Sequence, residues 1–106
     1  MIMPIDRHTG EFISLTDAEM LTKSYQDNFP NAIKCFYLGA NKIQDILDQE
    51  GCIGIRTYMA FDKDTNTQNL VMVGVNEDCE DMTDGLIADK MMPCPSQCDN
   101  NSPLVY

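Results

Sequence analysis

The segment Cys94-Pro95-Ser96-Gln97-Cys98 concentrates more potential chemistry than any other stretch of the chain. Two cysteines four apart can sit on one turn with both sulfurs facing a common point, and that spacing lies within the range of zinc half-sites. A structural zinc needs a full tetrahedral ligand set. Cys79 and one of Cys52 or His8 are the candidates to complete it, so the metal expectation names Cys94, Cys98, Cys79 and Cys52. A local disulfide or redox pair suits the same two residues, and plain free thiols are a third alternative. The spacing is not the C-x2-C of thioredoxin-like proteins and does not open a helix after a strand. Five cysteines are an odd number, so complete pairing within one chain is excluded.

Arg56 and Tyr58 stand two apart on a strand-like run and share a face with the small residues Gly54 and Ala60. A small-residue floor flanked by a guanidinium and a phenol suits a carboxylate or phosphate, so Gly54, Arg56 and Tyr58 form a candidate anion site. Alternatively, Arg56 pairs with Asp45 or Asp48 of the neighbouring helix and Tyr58 simply packs.

Three further constellations are weaker. Asp62, Asp64 and Asn66 match the first positions of a calcium loop, but Thr67 replaces its glycine and Val73 its closing glutamate. A turn in which Asp and Asn satisfy backbone amides explains the same residues. Glu77, Asp78, Glu80, Asp81 and Asp84 could gather a divalent cation; a solvated turn is the simpler expectation. His8 is the only histidine and could serve as base to a nucleophilic Cys52, although a cysteine beside a strand is ordinarily a small buried apolar group. The Met91-Met92 pair is read as core filling rather than as an adaptable contact surface. No phosphate-binding, dinucleotide-binding, zinc-protease or serine-hydrolase motif is present. No catalytic set is therefore assigned.

These residues need elements to position them. Thr16-Asp17-Ala18-Glu19 has the capping-box pattern, with Leu15 and Met20 at the staple positions. Ala18, Leu21, Tyr25 and Phe29 then follow at helical spacing as one apolar stripe. Glu19 and Lys23 are an i,i+4 pair, and Pro30 ends the helix at Phe29. Ile33 to Leu38 reads as a strand. Asn41 to Gln49 reads as a second helix burying Ile43, Ile46 and Leu47, with Gly51 as its left-handed cap. Residues 52–61 and 70–75 alternate as the two strands of a hairpin with a long polar loop. The second of them is apolar on both faces, which predicts a central strand. Leu86-Ile87-Ala88 is one more short strand, and the prolines beyond Met91 predict a coil tail held by its cysteines.

The expected fold is a single small α+β domain: two helices packed on an antiparallel sheet built around the 52–61/70–75 hairpin. An irregular lead-in covers residues 1–14, the domain 15–90 and the tail 91–106. At 106 residues, 43% hydrophobic and 23% charged, the chain has the composition of an ordinary soluble domain with a modest core. A core this thin favours a homodimer. Seven Lys and Arg against seventeen Asp and Glu leave a net charge of −10. That balance, with its cations scattered, opposes binding to nucleic acid or an anionic membrane. No apolar run approaches the roughly 20 residues of a membrane-spanning helix, and the first ten residues have no signal-peptide apolar core, so the expected compartment is the cytoplasm.

Gly51-Cys52-Ile53-Gly54-Ile55-Arg56-Thr57-Tyr58, then Leu70-Val71-Met72-Val73-Gly74-Val75, then a proline-flanked cysteine pair resemble a family of small uncharacterised bacterial proteins. The similarity runs from about Ile33 to Cys98. It implies no activity. It does imply that the G-C-x-G-I-R strand and the tail cysteines belong to one design, with Cys52, Cys94 and Cys98 near one another. The functional expectation is a cytoplasmic, non-enzymatic module acting through protein contacts. A zinc-binding or thiol-redox protein and a small anionic-ligand binder are the alternatives.

Overall fold

A computed structural model describes residues 5–106 as seven elements in two compact units. The elements are α1 (Leu15–Asn28), β1 (Cys35–Tyr37), α2 (Ala40–Leu47), β2 (Gly54–Asp62), β3 (Thr67–Val75), β4 (Ile87–Ala88) and β5 (Met92–Cys94). The composition is α+β, as expected. The units do not follow chain order. The first holds residues up to Thr9 together with Tyr37–Met91, and the second holds Gly10–Phe36 together with Met92–Tyr106.

In the first unit the hairpin is the frame. β2 and β3 pair antiparallel over their full length, from Gly54 opposite Val75 to Asp62 opposite Thr67. β4 pairs with β3 through Met72 opposite Ala88 and Val73 opposite Ile87. The order β2-β3-β4 makes β3 central, in keeping with its two apolar faces. Half of the polar stretch after Phe61 is ladder, not the long loop its composition predicts. Only residues 63–66 turn, because Asp62 Oδ1 accepts from the amides of Asp64 (2.9 Å) and Thr65 (3.4 Å) and Asn66 takes a left-handed conformation. Those two amides hold the Asp62 carboxyl below its ordinary range.

α2 packs on β2 and β3. Ile46 is 2% exposed and joins Cys52, Val73, Val75 and Met91 in the core, while Ile43 is half-buried and Leu47 is exposed. Eight residues on a narrow contact bury one ridge fully and its flank only in part. The C-cap of α2 is Asp48 rather than Gly51; Gly51 takes a left-handed conformation, φ +83°, in the turn that leads on to β2. Two side-chain amides stitch this unit. Gln49 donates from Nε2 to the Ile46 carbonyl (2.9 Å) and accepts at Oε1 from the Leu86 amide (2.9 Å). Asn69 donates to the Met91 carbonyl and accepts from the Met91 amide, both at 3.2 Å.

The second unit contains α1 and, with the two-stranded β1-β5 pairing, the tail. The cap is Ser14, whose hydroxyl accepts from the Asp17 amide at 3.1 Å, rather than Thr16. The earlier cap adds residues to the helix and puts Asp17 where it complements the helix dipole. Lys23 pairs forward with Asp27 (2.8 Å), not with Glu19. The helix stops at Asn28 with Phe29 as C-cap, ahead of Pro30. Its one buried side chain is polar: Gln26 donates to the Leu104 carbonyl (3.0 Å) and accepts from the Tyr106 amide (2.6 Å). The end of the tail is therefore clamped by a helix glutamine as well as closed by its cysteines. Lys34 reaches the Tyr106 oxygen at 2.7 Å, and Lys23 lies 4.1 Å above the Tyr106 ring. The predicted apolar stripe is on the surface instead: Leu21 is 65%, Tyr25 42% and Phe29 55% exposed.

Candidate functional site

Strand alternation places Gly54, Arg56 and Tyr58 on one face of β2. The acidic segment after β3 comes back to meet that face. Asn76 organises the return by accepting at Oδ1 from the amides of Asp78 (2.9 Å) and Glu80 (3.0 Å), while its own amide donates to the Glu80 carbonyl (2.9 Å). Cys79 takes a left-handed conformation at the tip. Asp81 then bridges Val75, and the Met82 amide donates to Gly74. The turn is thus less solvated than its composition suggests, because a second layer of strand-like pairing draws Asp81 inward.

Asp81 accepts from both Arg56 and Tyr58. Arg56 also donates to the Cys79 carbonyl at 3.4 Å. The acidic partner of Arg56 is therefore Asp81, not Asp45 or Asp48. The Tyr58 hydroxyl and then the Arg56 guanidinium hold the Asp81 carboxyl below the ordinary carboxylate range. In return, Asp81 raises the Tyr58 phenol above its ordinary value and keeps it protonated.

A cleft of about 270 Å³ opens beside Arg56. Its lining includes Arg7, Thr9, Gly54, Ile55, Arg56 and Asp6. Arg7 and Arg56 are the only two arginines in the sequence, and both line this cleft. Arg7 reaches the Cys52 carbonyl at 3.2 Å, and a β-carbon on Gly54 would meet nothing within 4 Å. Each guanidinium keeps unused N–H donors. Gly54 and Arg56 thus both line the cleft, whereas Tyr58 is not part of its lining and instead donates to the carboxylate that holds Arg56. Arg7 was not legible as a site residue, because nothing in its sequence neighbourhood marks it.

Cys94 and Cys98 form a disulfide with Cα atoms 4.9 Å apart in the second unit. Both sulfurs are engaged with each other and neither presents a thiolate to a metal. Cys52 is buried in the first unit with its thiol directed to the Gly54 carbonyl at 3.2 Å, and Cys79 directs its thiol to the Ile5 carbonyl at 3.5 Å. Among the described residues no three His, Cys, Asp or Glu side chains are grouped to hold a metal ion. The expected ligand set Cys52, Cys79, Cys94 and Cys98 is therefore not assembled, since two of its members consume each other's sulfurs. His8 is exposed, and its amide donates to Asp6 Oδ1 at 2.8 Å. No helix among the described residues is long and apolar enough to cross a membrane. Compared with family models, curated proteins and solved structures, the chain matches none.

Proposed function

We propose that this chain is a small non-enzymatic interaction module that works in the cytoplasm through protein contacts. The observation that carries this reading is the apolar stripe of α1. Leu21, Tyr25 and Phe29 follow one another at helical spacing and stay exposed, and solvent-facing apolar stripes of this kind mark contact surfaces. The flanking charges Asp17, Glu19 and Asp27 are acidic, and Lys23 is already paired with Asp27. The complementary partner is a protein with an apolar groove rimmed by Lys and Arg. A net charge of −10 leaves nucleic acid and anionic membranes outside this reading. The test is affinity capture with the full chain against the double variant Leu21→Glu/Phe29→Glu. The reading expects one stoichiometric protein partner, lost in the variant while the helical circular dichroism is kept. Recovery of the same proteins by both chains would overturn it.

A second reading is favoured by the pairing of both arginines on one cleft: a small carboxylate or phosphate held by Arg7 and Arg56 over Gly54. Saturating inorganic phosphate or a dicarboxylate then raises the melting temperature, and Arg7→Ala or Arg56→Ala removes the rise. An unchanged melting temperature across a panel of acidic metabolites would count against it.

A further inference from the structure

The two edges of the three-stranded sheet differ sharply. β4 is two residues long, whereas β2 runs for nine residues with neither proline nor lysine in it. Natural sheets blunt their edges by shortness, prolines, bulges or edge lysines, and β2 uses none of these. Its middle, Thr57-Tyr58-Met59, is exposed on both faces, and Phe61 follows. Among the described residues no hydrogen bond reaches the backbone of Thr57–Asp62 other than the ladder to β3. Half of the amides and carbonyls of this run therefore point to the open edge.

We infer that a second copy of this chain pairs antiparallel along the β2 edge, with Met59 opposite Met59 of the partner subunit. Symmetry and charge select this register. A two-fold axis perpendicular to the sheet keeps each side chain on its own face, so a residue can face only residues of like parity in the other copy. Centring on Met59 places Arg56 opposite Asp62 of the partner subunit, and by symmetry Asp62 opposite the partner's Arg56. The pair sits on the face that also carries Tyr58. On the other face, Thr57 meets the partner's Phe61 and the two Met59 side chains meet each other. Met59 is 72% exposed in the single chain. Centring on Tyr58 would instead set Asp62 against Gly54 and drive the pairing into the stretch that shares its cleft with Ile5–Thr9. Centring on Ala60 leaves Arg56 opposite the turn. Only the Met59 register matches opposite charges within the strand and leaves the Arg7 cleft clear. The existing Asp81 contact is compatible with it, because a guanidinium has five N–H donors and can serve both carboxylates.

This inference uses a different surface from the α1 stripe and stands or falls without it. The experiment is the solution mass of the full chain by sedimentation equilibrium, beside Met59→Lys and Met59→Cys. The expected wild-type mass is twice the 11.9 kDa of the chain. Met59→Lys, which sets two ammonium groups face to face, returns it to 11.9 kDa with unchanged circular dichroism. Under mild oxidation Met59→Cys yields a covalent dimer that wild type does not, whereas Thr57→Cys alone does not, since its partner position is Phe61. A monomeric wild type overturns the inference. So does a dimer that survives Met59→Lys, or a covalent dimer formed as readily by Thr57→Cys. Leu21→Glu/Phe29→Glu leaves the dimer intact, which separates failure here from failure of the α1 reading.

Discussion

Gly85→Ala probes how Gln49 holds the first unit together. A β-carbon at Gly85 would stand 2.1 Å from Gln49 Oε1 and 3.3 Å from Gln49 Cδ, far inside van der Waals contact. The obstacle is the end of a flexible side chain, so the backbone can stay while Gln49 swings away. That movement breaks the bond from the Leu86 amide and the bond to the Ile46 carbonyl, both 2.9 Å. Two ordinary hydrogen bonds contribute about 1–3 kcal/mol together. Stiffening of the unfolded chain by the Gly→Ala change offsets about 0.4–1 kcal/mol of that. The net expectation is a loss of about 0.5–2 kcal/mol, read as a lower urea midpoint at constant slope. Gln49→Ala removes the obstacle and the bonds at once. In that background Gly85→Ala keeps only the stabilising effect of the stiffer unfolded chain, about 0.4–1 kcal/mol, so the double-mutant cycle shows a coupling of about 1–3 kcal/mol, that of the two lost bonds. An equal cost of Gly85→Ala in both backgrounds would refute the assignment of the clash to Gln49.

Three further outcomes follow from the same structure. Ile46→Ala removes the most buried side chain of α2 and should cost about 2–5 kcal/mol in urea unfolding; a loss well under 1 kcal/mol would mean the α2–sheet contact is not the core. Gln26→Ala leaves the Leu104 carbonyl and Tyr106 amide without their partner, at about 1–3 kcal/mol, and limited proteolysis should then cut first within residues 99–106; an unchanged cleavage pattern would contradict the clamp. Because the Asp81 carboxyl is held below its ordinary range, the native state binds fewer protons there than the unfolded chain does. The stability it contributes is fully present above the unfolded carboxyl's titration and is lost as pH falls through the lowered native one. Asp81→Asn should therefore flatten the acid limb of the stability–pH curve, and an acid limb identical to wild type would exclude Asp81 as its source.

Local chemistry was legible where the cause is local. Pro30 stops α1, Gly51 supplies a left-handed position, and alternation along 54–61 sets Gly54, Arg56 and Tyr58 on one face. These follow from covalent geometry and the period of the strand, which each residue carries with it. The two-sided apolar pattern of β3 likewise announced a central strand. The cap expected at Thr16 lies at Ser14, whose hydroxyl accepts from the Asp17 amide; the capping-box pattern names suitable residue types and does not fix which hydroxyl meets the free amides.

What depended on residues far apart in sequence was decided by the tertiary structure. Arg56 meets Asp81 because the chain folds back after Val75, and no property of either residue selects that carboxylate over Asp45 or Asp48. Arg7 joins Arg56 at one cleft across a sequence gap that spans a helix, a strand and a second helix. Gln26, an ordinary polar residue on a helix, becomes buried because the tail supplies both a donor and an acceptor to its amide. The stripe of Leu21, Tyr25 and Phe29 shows the converse. Periodicity reports that a face is apolar, and only the surrounding chain determines whether that face is covered.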